Sequence, residues 1–399
     1  KIATYASILF MYAFGFLTLF FLYKKFQFSR LQRIFFFAVF FGNALVLGNL
    51  LRLGRVHELF AWVVFLLFAF FMIYYRDRQL SPTFYLSGFF YGLLILSNQN
   101  VALLASLFYL SLFLVKRGKE RMAVVFSGIL GLTISSFWWI PFLTHLSEGS
   151  VLVGNYGRTA ISFTQGLVWT QIPLTLTSFA FLLFYALSWH RYKEDRVFFA
   201  PFAALSVLVF FRIIGFLPIF DDILPDYYST LLIFLCLFLF LRSPVEKFPF
   251  SRFMSIALVV IALLSVSVNL VKTPFFVEPD QNVEDLTSLL SSLEGSFVLH
   301  GTFPSTVYEG AIYSYAPIYY NLTTPFGWYG HVAPATYRDA LLSDSRQLVY
   351  TCENVQAYLR QWSVDNFVLH GDVCAFLSSC TFGTFVSRGS FCALQGFNP

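Results

Sequence analysis

Residues able to do chemistry are few in this 399-residue chain, and most stand where long apolar runs end. The densest group is Arg52-Leu-Gly-Arg55-Val-His57-Glu58. Two guanidiniums there can grip a phosphate, because each presents a planar fork of N–H donors. Glu58 could serve as a base for a hydroxyl group, with His57 contacting a substrate. The plainer reading is that Arg52 and Arg55 snorkel to lipid headgroups while Glu58 pairs with one of them. A second group, Ser97-Asn98-Gln99-Asn100, offers the amides of Asn98 and Asn100 to sugar hydroxyls. The same run would equally cap two helix ends and close a turn. A third sets Arg212 near Asp221, Asp222 and Asp226. Arg212 suits a phosphate, Asp222 suits a base, and an Asp pair suits a divalent metal ion, the one cofactor these residues suggest. Phe326-Gly-Trp328-Tyr-Gly-His331 is an aromatic loop that fits a sugar ring or a membrane contact equally well. His145, Glu148, Asn155, Tyr156 and Arg158 share one long loop, where solvated charges are the ordinary explanation. No phosphate-binding glycine loop, dinucleotide fingerprint, zinc spacing or Ser-His-Asp order stands out.

The elements that must hold these groups are membrane helices. Hydrophobic residues make up 58% of the chain, charged residues only 12%, and Phe alone accounts for 53 positions. Soluble domains carry about 25% charged residues. Apolar runs without strict alternation predict helices rather than a barrel, since backbone groups in lipid must bond within their own segment. Ten segments are expected: 2–23, 34–51, 59–75, 83–97, 101–115, 122–140, 166–188, 197–211, 227–241 and 253–271. Residues 83–115 as one helix would be roughly 50 Å long, too long for a bilayer. Two short helices meeting at Asn98-Gln99-Asn100 solve that. Pro141, after Trp138-Trp139, is expected to stop the sixth segment at an aromatic belt.

Charge then orients the segments. Lys24, Lys25, Arg30 and Arg33 follow the first, and Arg76 and Arg78 the third. Lys116, Arg117, Lys119 and Arg121 follow the fifth; Arg191, Lys193 and Arg196 the seventh; Arg242, Lys247 and Arg252 the ninth. The alternate loops hold only Arg52, Arg55, Arg158 and Arg212. Cations concentrate on the cytoplasmic side, so everything after residue 272 is expected outside, in a multi-pass protein of the cell membrane. The net charge of +5 is this loop bias and gives no reason to expect nucleic acid. Residues 1–272 form the membrane domain. Residues 273–399 form an extracytoplasmic α+β domain, with strands at SFVLH, RQLVYT, NFVLH, GTFVS and FCALQ and a helix at 353–362. Cys352, Cys374, Cys380 and Cys392 lie in it and suit two disulfides, with three pairings open. Asn321-Leu-Thr323 is a glycosylation sequon on the same side.

Several stretches together resemble one family. They are Gly54-Arg-Val-His-Glu-Leu-Phe-Ala61, the polar break after Gly92-Leu-Leu-Ile-Leu-Ser97, the run Ser135-Ser-Phe-Trp-Trp-Ile-Pro-Phe142, and an outer α+β domain after the last helix. This is the group of prokaryotic membrane proteins labelled 6-pyruvoyl-tetrahydropterin synthase-related, which look like GT-C glycosyltransferases. The resemblance implies a polytopic enzyme that moves a sugar from a polyprenyl-phosphate carrier to an acceptor on the outer face. It also implies an acidic residue in the first outer loop. By the topology above the chain opens outside at Lys1, so that segment would precede it, or the chain would not be a catalyst alone. A His common at the polar break is replaced by Asn98-Gln99-Asn100, and Pro225-Asp-Tyr-Tyr228 stands where an Arg is common, which leaves the phosphate to Arg212.

Three readings follow. The first is a GT-C-type glycosyltransferase with polyprenyl-phosphate sugar and membrane lipids as partners. The second is a non-catalytic scaffold that anchors its outer domain to other membrane or envelope subunits. A transporter ranks third, because mid-helix charges are scarce.

Overall fold

Long runs of Leu, Phe, Ile and Val with few helix breakers fold as helices through the first two thirds of the chain. A computed structural model describes residues 2–51, 55–144, 171–189, 193–217, 220, 223–242, 260, 263–264, 267, 280–304, 307, 309–325 and 350–395. The chain divides into two units, Lys1–Phe142 with Val153–Phe276 and Leu143–Leu152 with Val277–Pro399.

The first unit begins with α1 (Ile2–Leu17), which continues through a π turn and a 3₁₀ turn to Phe26. A capping box between Ser29 and Gln32 opens α2 (Arg30–Gly42). Then come α3 (Ala44–Leu51), α4 (Val56–Arg76), α5 (Leu86–Ser97) and α6 (Gln99–Val115). They are followed by α7 (Lys119–Ile134), α8 (Ser136–Thr144), α9 (Gln171–Trp189), α10 (Lys193–Phe210) and α11 (Pro225–Arg242). Tyr5–Phe26, Val56–Tyr74 and Pro225–Arg242 are long and apolar enough to cross a membrane, and α2 with α3 makes a fourth if the bent pair is one span. The expected helical architecture with candidate membrane spans is present at this level.

Two local expectations are corrected. Residues 34–51 are not one straight helix but bend by 52° at Asn43. The Asn43 carboxamide accepts from the N–H groups of Leu45 and Val46 at 3.0 and 3.1 Å and so restarts the helix. Pro141 does not stop the sixth segment; it lies inside α8. The break comes earlier, at Ser135, whose hydroxyl donates back to Gly131 O at 2.9 Å. The segment at 253–271 and the start of the seventh fall almost wholly outside the described residues.

In lipid, apolar surface gains little from meeting other apolar surface, so helices associate through close packing and hydrogen bonds. At α5–α7 the two backbones touch. A Cβ on Gly88 would sit 2.4 Å from Ser127 O, and one on Gly131 would sit 2.8 Å from Gly88 O. Ser87 and Ser127 join their hydroxyls at 2.9 Å across the same seam. Around α4 and α11 packing is aromatic instead. Phe234 meets Phe65, Phe36 and Phe40 edge to face at centroid distances of 5.0, 5.5 and 5.9 Å.

The second unit is a four-stranded mixed sheet in the order β1-β2-β4-β3. The strands are β1 (Phe297–Leu299), β2 (Asn366–His370), β3 (Thr384–Arg388) and β4 (Phe391–Gln395). β1 runs parallel to β2, while β4 is antiparallel to both of its neighbours. Both faces are covered. Phe297, Leu299, Val368, Phe391 and Ala393 pack towards α12 (Gln281–Leu290) and α13 (Glu309–Tyr320). Val298, Phe367, Leu369, Cys392 and Leu394 pack towards α14 (Cys352–Trp362) and α15 (Val373–Leu377). The inner strands are therefore apolar through their middles, at Phe367–Leu369 and Phe391–Leu394. Four of the five expected strands are present. Of the fifth, RQLVYT, residues 346–349 lie outside the described set, and Thr351 caps α14 by accepting from Asn354 N at 3.2 Å.

Candidate functional site

The site is built where α4 and α11 begin. Glu58 lies in the first turn of α4 and Asp226 in the first turn of α11, positions where the helix dipole favours a carboxylate. Both are buried. Arg55, just before α4, lies between them, with Nη1 at 3.5 Å from Glu58 Oε2 and 3.2 Å from Asp226 Oδ2. Asn49 on α3 completes the link. Its amide donates to Glu58 Oε1 at 2.9 Å and to Asp226 Oδ2 at 2.5 Å. Trp62, one turn into α4, donates its indole N–H to Glu58 Oε1 at 3.3 Å. Glu58 Oε2 is buried and has no hydrogen bond, only the longer ionic contact with Arg55. Two carboxylates thus share one guanidinium edge, and Arg55 is about a quarter exposed, with its other N–H groups unused among the described residues.

Asn98 joins the edge of this cluster. It caps α6 by accepting from Val101 N at 3.2 Å, so the expected helix break at Asn98 is real. Its amide also donates to the Tyr227 hydroxyl at 3.0 Å, beside Asp226. Asn98 therefore serves the capping role and ties α6 to α11 at the same time.

Other expected members stand apart. His57 is exposed and Asn100 half-buried, and neither side chain bonds to the cluster. Arg212 is buried elsewhere, donating to Thr175 Oγ1 at 2.7 Å from a left-handed backbone position, and it does not reach Arg55. Arg52, Asp221, Asp222 and Trp328 lie outside the described residues. Asp226, weighed with Arg212 in the sequence, sits instead against Arg55, 171 residues away. Asn49, Trp62 and Tyr227 were not anticipated. The legible signals were a lone amide inside an apolar helix and an Asp opening one. Among the described residues no group of three or more His, Cys, Asp or Glu could hold a metal ion.

At the far end of the same helices lies a second buried network. Asp195 of α10 accepts from Arg76 of α4 and, at 2.9 Å, from Arg242 of α11. Arg76 also pairs with Asp77 at 2.5 Å. With ties at both ends, α4 and α11 run parallel and α10 runs opposite. The alternation of basic loops predicts the same relative directions.

In the second unit the thiols choose one of three pairings, Cys352–Cys380 and Cys374–Cys392. Asn321 of the sequon is exposed and ends α13 in the left-handed conformation that Asn tolerates at a helix terminus. The chain matches no family model, and a search of curated proteins gives no significant match.

Proposed function

We propose that this protein is a membrane glycosyltransferase of GT-C type that transfers a sugar from a polyprenyl-phosphate carrier at the end of the bundle where α4 and α11 begin. The reading takes all ten expected segments as membrane crossings and the disulfide-linked unit as extracytoplasmic. One observation carries it: a buried Glu58 oxygen without a hydrogen-bond donor beside an Arg55 with N–H groups to spare.

In this reading Glu58, or Asp226 beside it, accepts the proton of the acceptor hydroxyl as that oxygen bonds to the anomeric carbon. The bond from that carbon to the carrier phosphate breaks, and its electron pair leaves with the phosphate. Arg55 offers its open edge to the departing phosphate oxygens. Two carboxylates against one cation repel an anion, so the reading also needs Arg52, three residues earlier, as a second cation.

The test is turnover of polyprenyl-phosphate sugars by the full-length protein in lipid nanodiscs. Glu58→Gln keeps the bonds from Asn49 and Trp62 but cannot take a proton, and should lower kcat by about 100-fold or more. His57→Ala, on the exposed face, should leave turnover unchanged. Equal turnover in Glu58→Gln and the parent would remove the assignment. A parent chain inactive with every donor would favour the second reading, a scaffold whose disulfide-linked unit docks to envelope subunits.

A further inference from the structure

A concavity lies at the opposite end of the bundle from the cluster. It has a volume of ≈ 600 Å³ and opens between the C-terminal ends of α4 and α6 and the N-terminal ends of α7 and α10. Its lining is mixed: Leu114, Val115 and Val197 are apolar, and Arg78, Arg117 and Arg121 carry guanidiniums.

The carboxylates present are already committed. Asp77 is engaged by Arg76 at 2.8 and 2.5 Å. Glu120 accepts from Leu80 N at 2.8 Å and lies 3.7 Å from the Lys116 ammonium. The three guanidiniums are not used up in this way. Arg117 is exposed and makes no side-chain bond among the described residues. Arg78 lies over the Tyr74 ring at 4.2 Å and spends one N–H on the Tyr74 hydroxyl at 2.7 Å. Arg121 spends its Nε–H on the carbonyls of Phe113 and Lys116 at 3.0 and 2.6 Å and lies over the Phe113 ring at 5.0 Å, with no bond from its terminal nitrogens among the described residues. The cavity thus holds a surplus of positive charge with unused planar donors, set where the apolar length of α6 ends and beside a Tyr at the end of α4. That is the depth of a lipid headgroup, with acyl chains continuing along the apolar lining residues.

We infer that this cavity is a binding site for the headgroup of an anionic phospholipid, its phosphate held by Arg78, Arg117 and Arg121 and its glycerol end resting on Leu114, Val115 and Val197. The assignment is independent of any activity at the Glu58 cluster.

The experiment places the full-length chain in phosphatidylcholine nanodiscs doped with photoactivatable phosphatidylglycerol and maps the cross-links by mass spectrometry. Cross-links should fall on residues 77–80 and 114–121. Arg78→Gln with Arg117→Gln, two exposed changes, should reduce them by roughly fivefold for each cation removed. Lys24→Gln with Lys25→Gln, also exposed and set after α1 among the expected basic loops, should leave them unchanged. Arg117→Lys, which keeps the charge but not the fork, should fall between the parent and the double variant. Equal losses in the two double variants would overturn the site in favour of diffuse surface charge. So would labelling by a phosphatidylcholine probe as strong as that by phosphatidylglycerol. Displacement of the lipid by millimolar inorganic phosphate or pyrophosphate would overturn the lipid assignment in favour of a soluble anion.

Discussion

The two ends of the α4–α11 pair solve the same problem with different charge counts. At one end Asp195 and Asp77 meet Arg76 and Arg242, two carboxylates and two guanidiniums among the described residues. At the other, among the described residues, Glu58 and Asp226 meet one guanidinium, that of Arg55. Glu58 and Asp226 in first turns and Arg76 and Arg242 in last turns follow the helix dipoles, while Arg55 and Asp77, which flank α4, oppose them. Burying charge is costly unless it is compensated, and Asp195 of α10, held by guanidiniums from α4 and α11, fastens three helices. Among the described residues the Glu58 end holds one carboxylate more than it holds guanidiniums. Its excess sits beside a cation with open donors, where a ligand or a proton can restore balance.

The strongest way to break this contrast is Asp195→Ala. It removes the buried carboxylate that Arg76 and Arg242 share and should cost about 3–5 kcal/mol, read as a fall in unfolding midpoint in detergent. A loss below 1 kcal/mol would mean that end is no fastening point. Next comes the second unit, which should respond independently. Cys352→Ser with Cys380→Ser opens a loop of sequence separation 28 and should cost about 3–4 kcal/mol by loop entropy. Limited proteolysis would show the loss confined to residues after 277. Smaller still, Asp226→Asn should cost about 1–3 kcal/mol, because Glu58 remains to pair with Arg55 while the Asn49 amide loses its charged acceptor. Smallest is Glu58→Gln, expected within about 1 kcal/mol because both donors to Oε1 keep an acceptor. If Glu58→Gln destabilised as much as Asp195→Ala, the two ends would be alike and the surplus carboxylate merely structural.

Much of the scaffold was readable from local pattern. Hydropathy marks the helices, Asn98 marks one of their starts, and four apolar runs became strands. The bend at Asn43 was missed because the run around it stays apolar; only the side chain's competition for N–H groups reveals it. Pro141 misled in the other direction. A Pro signals a break only where no nearer residue makes one, and here Ser135 did.

The candidate site was half legible. Arg55 and Glu58 are three residues apart, so helix geometry alone brings them together. Which partner completes them was not, because Asp226 and Arg212 are both distant in sequence and each carries a charge suited to the role.

Sequence by itself determined the apolar helices, the presence of a separate cysteine-bearing domain and the set of groups able to act. Hydrophobicity, helix period and charge bias are local or additive, and so can be read along a line. Tertiary structure alone decided that Asp226 and not Arg212 meets Arg55, that Asn49 bridges the two carboxylates, and that Cys352 joins Cys380. Those choices depend on how helices and strands pack side by side, and packing distance bears no fixed relation to distance along the chain.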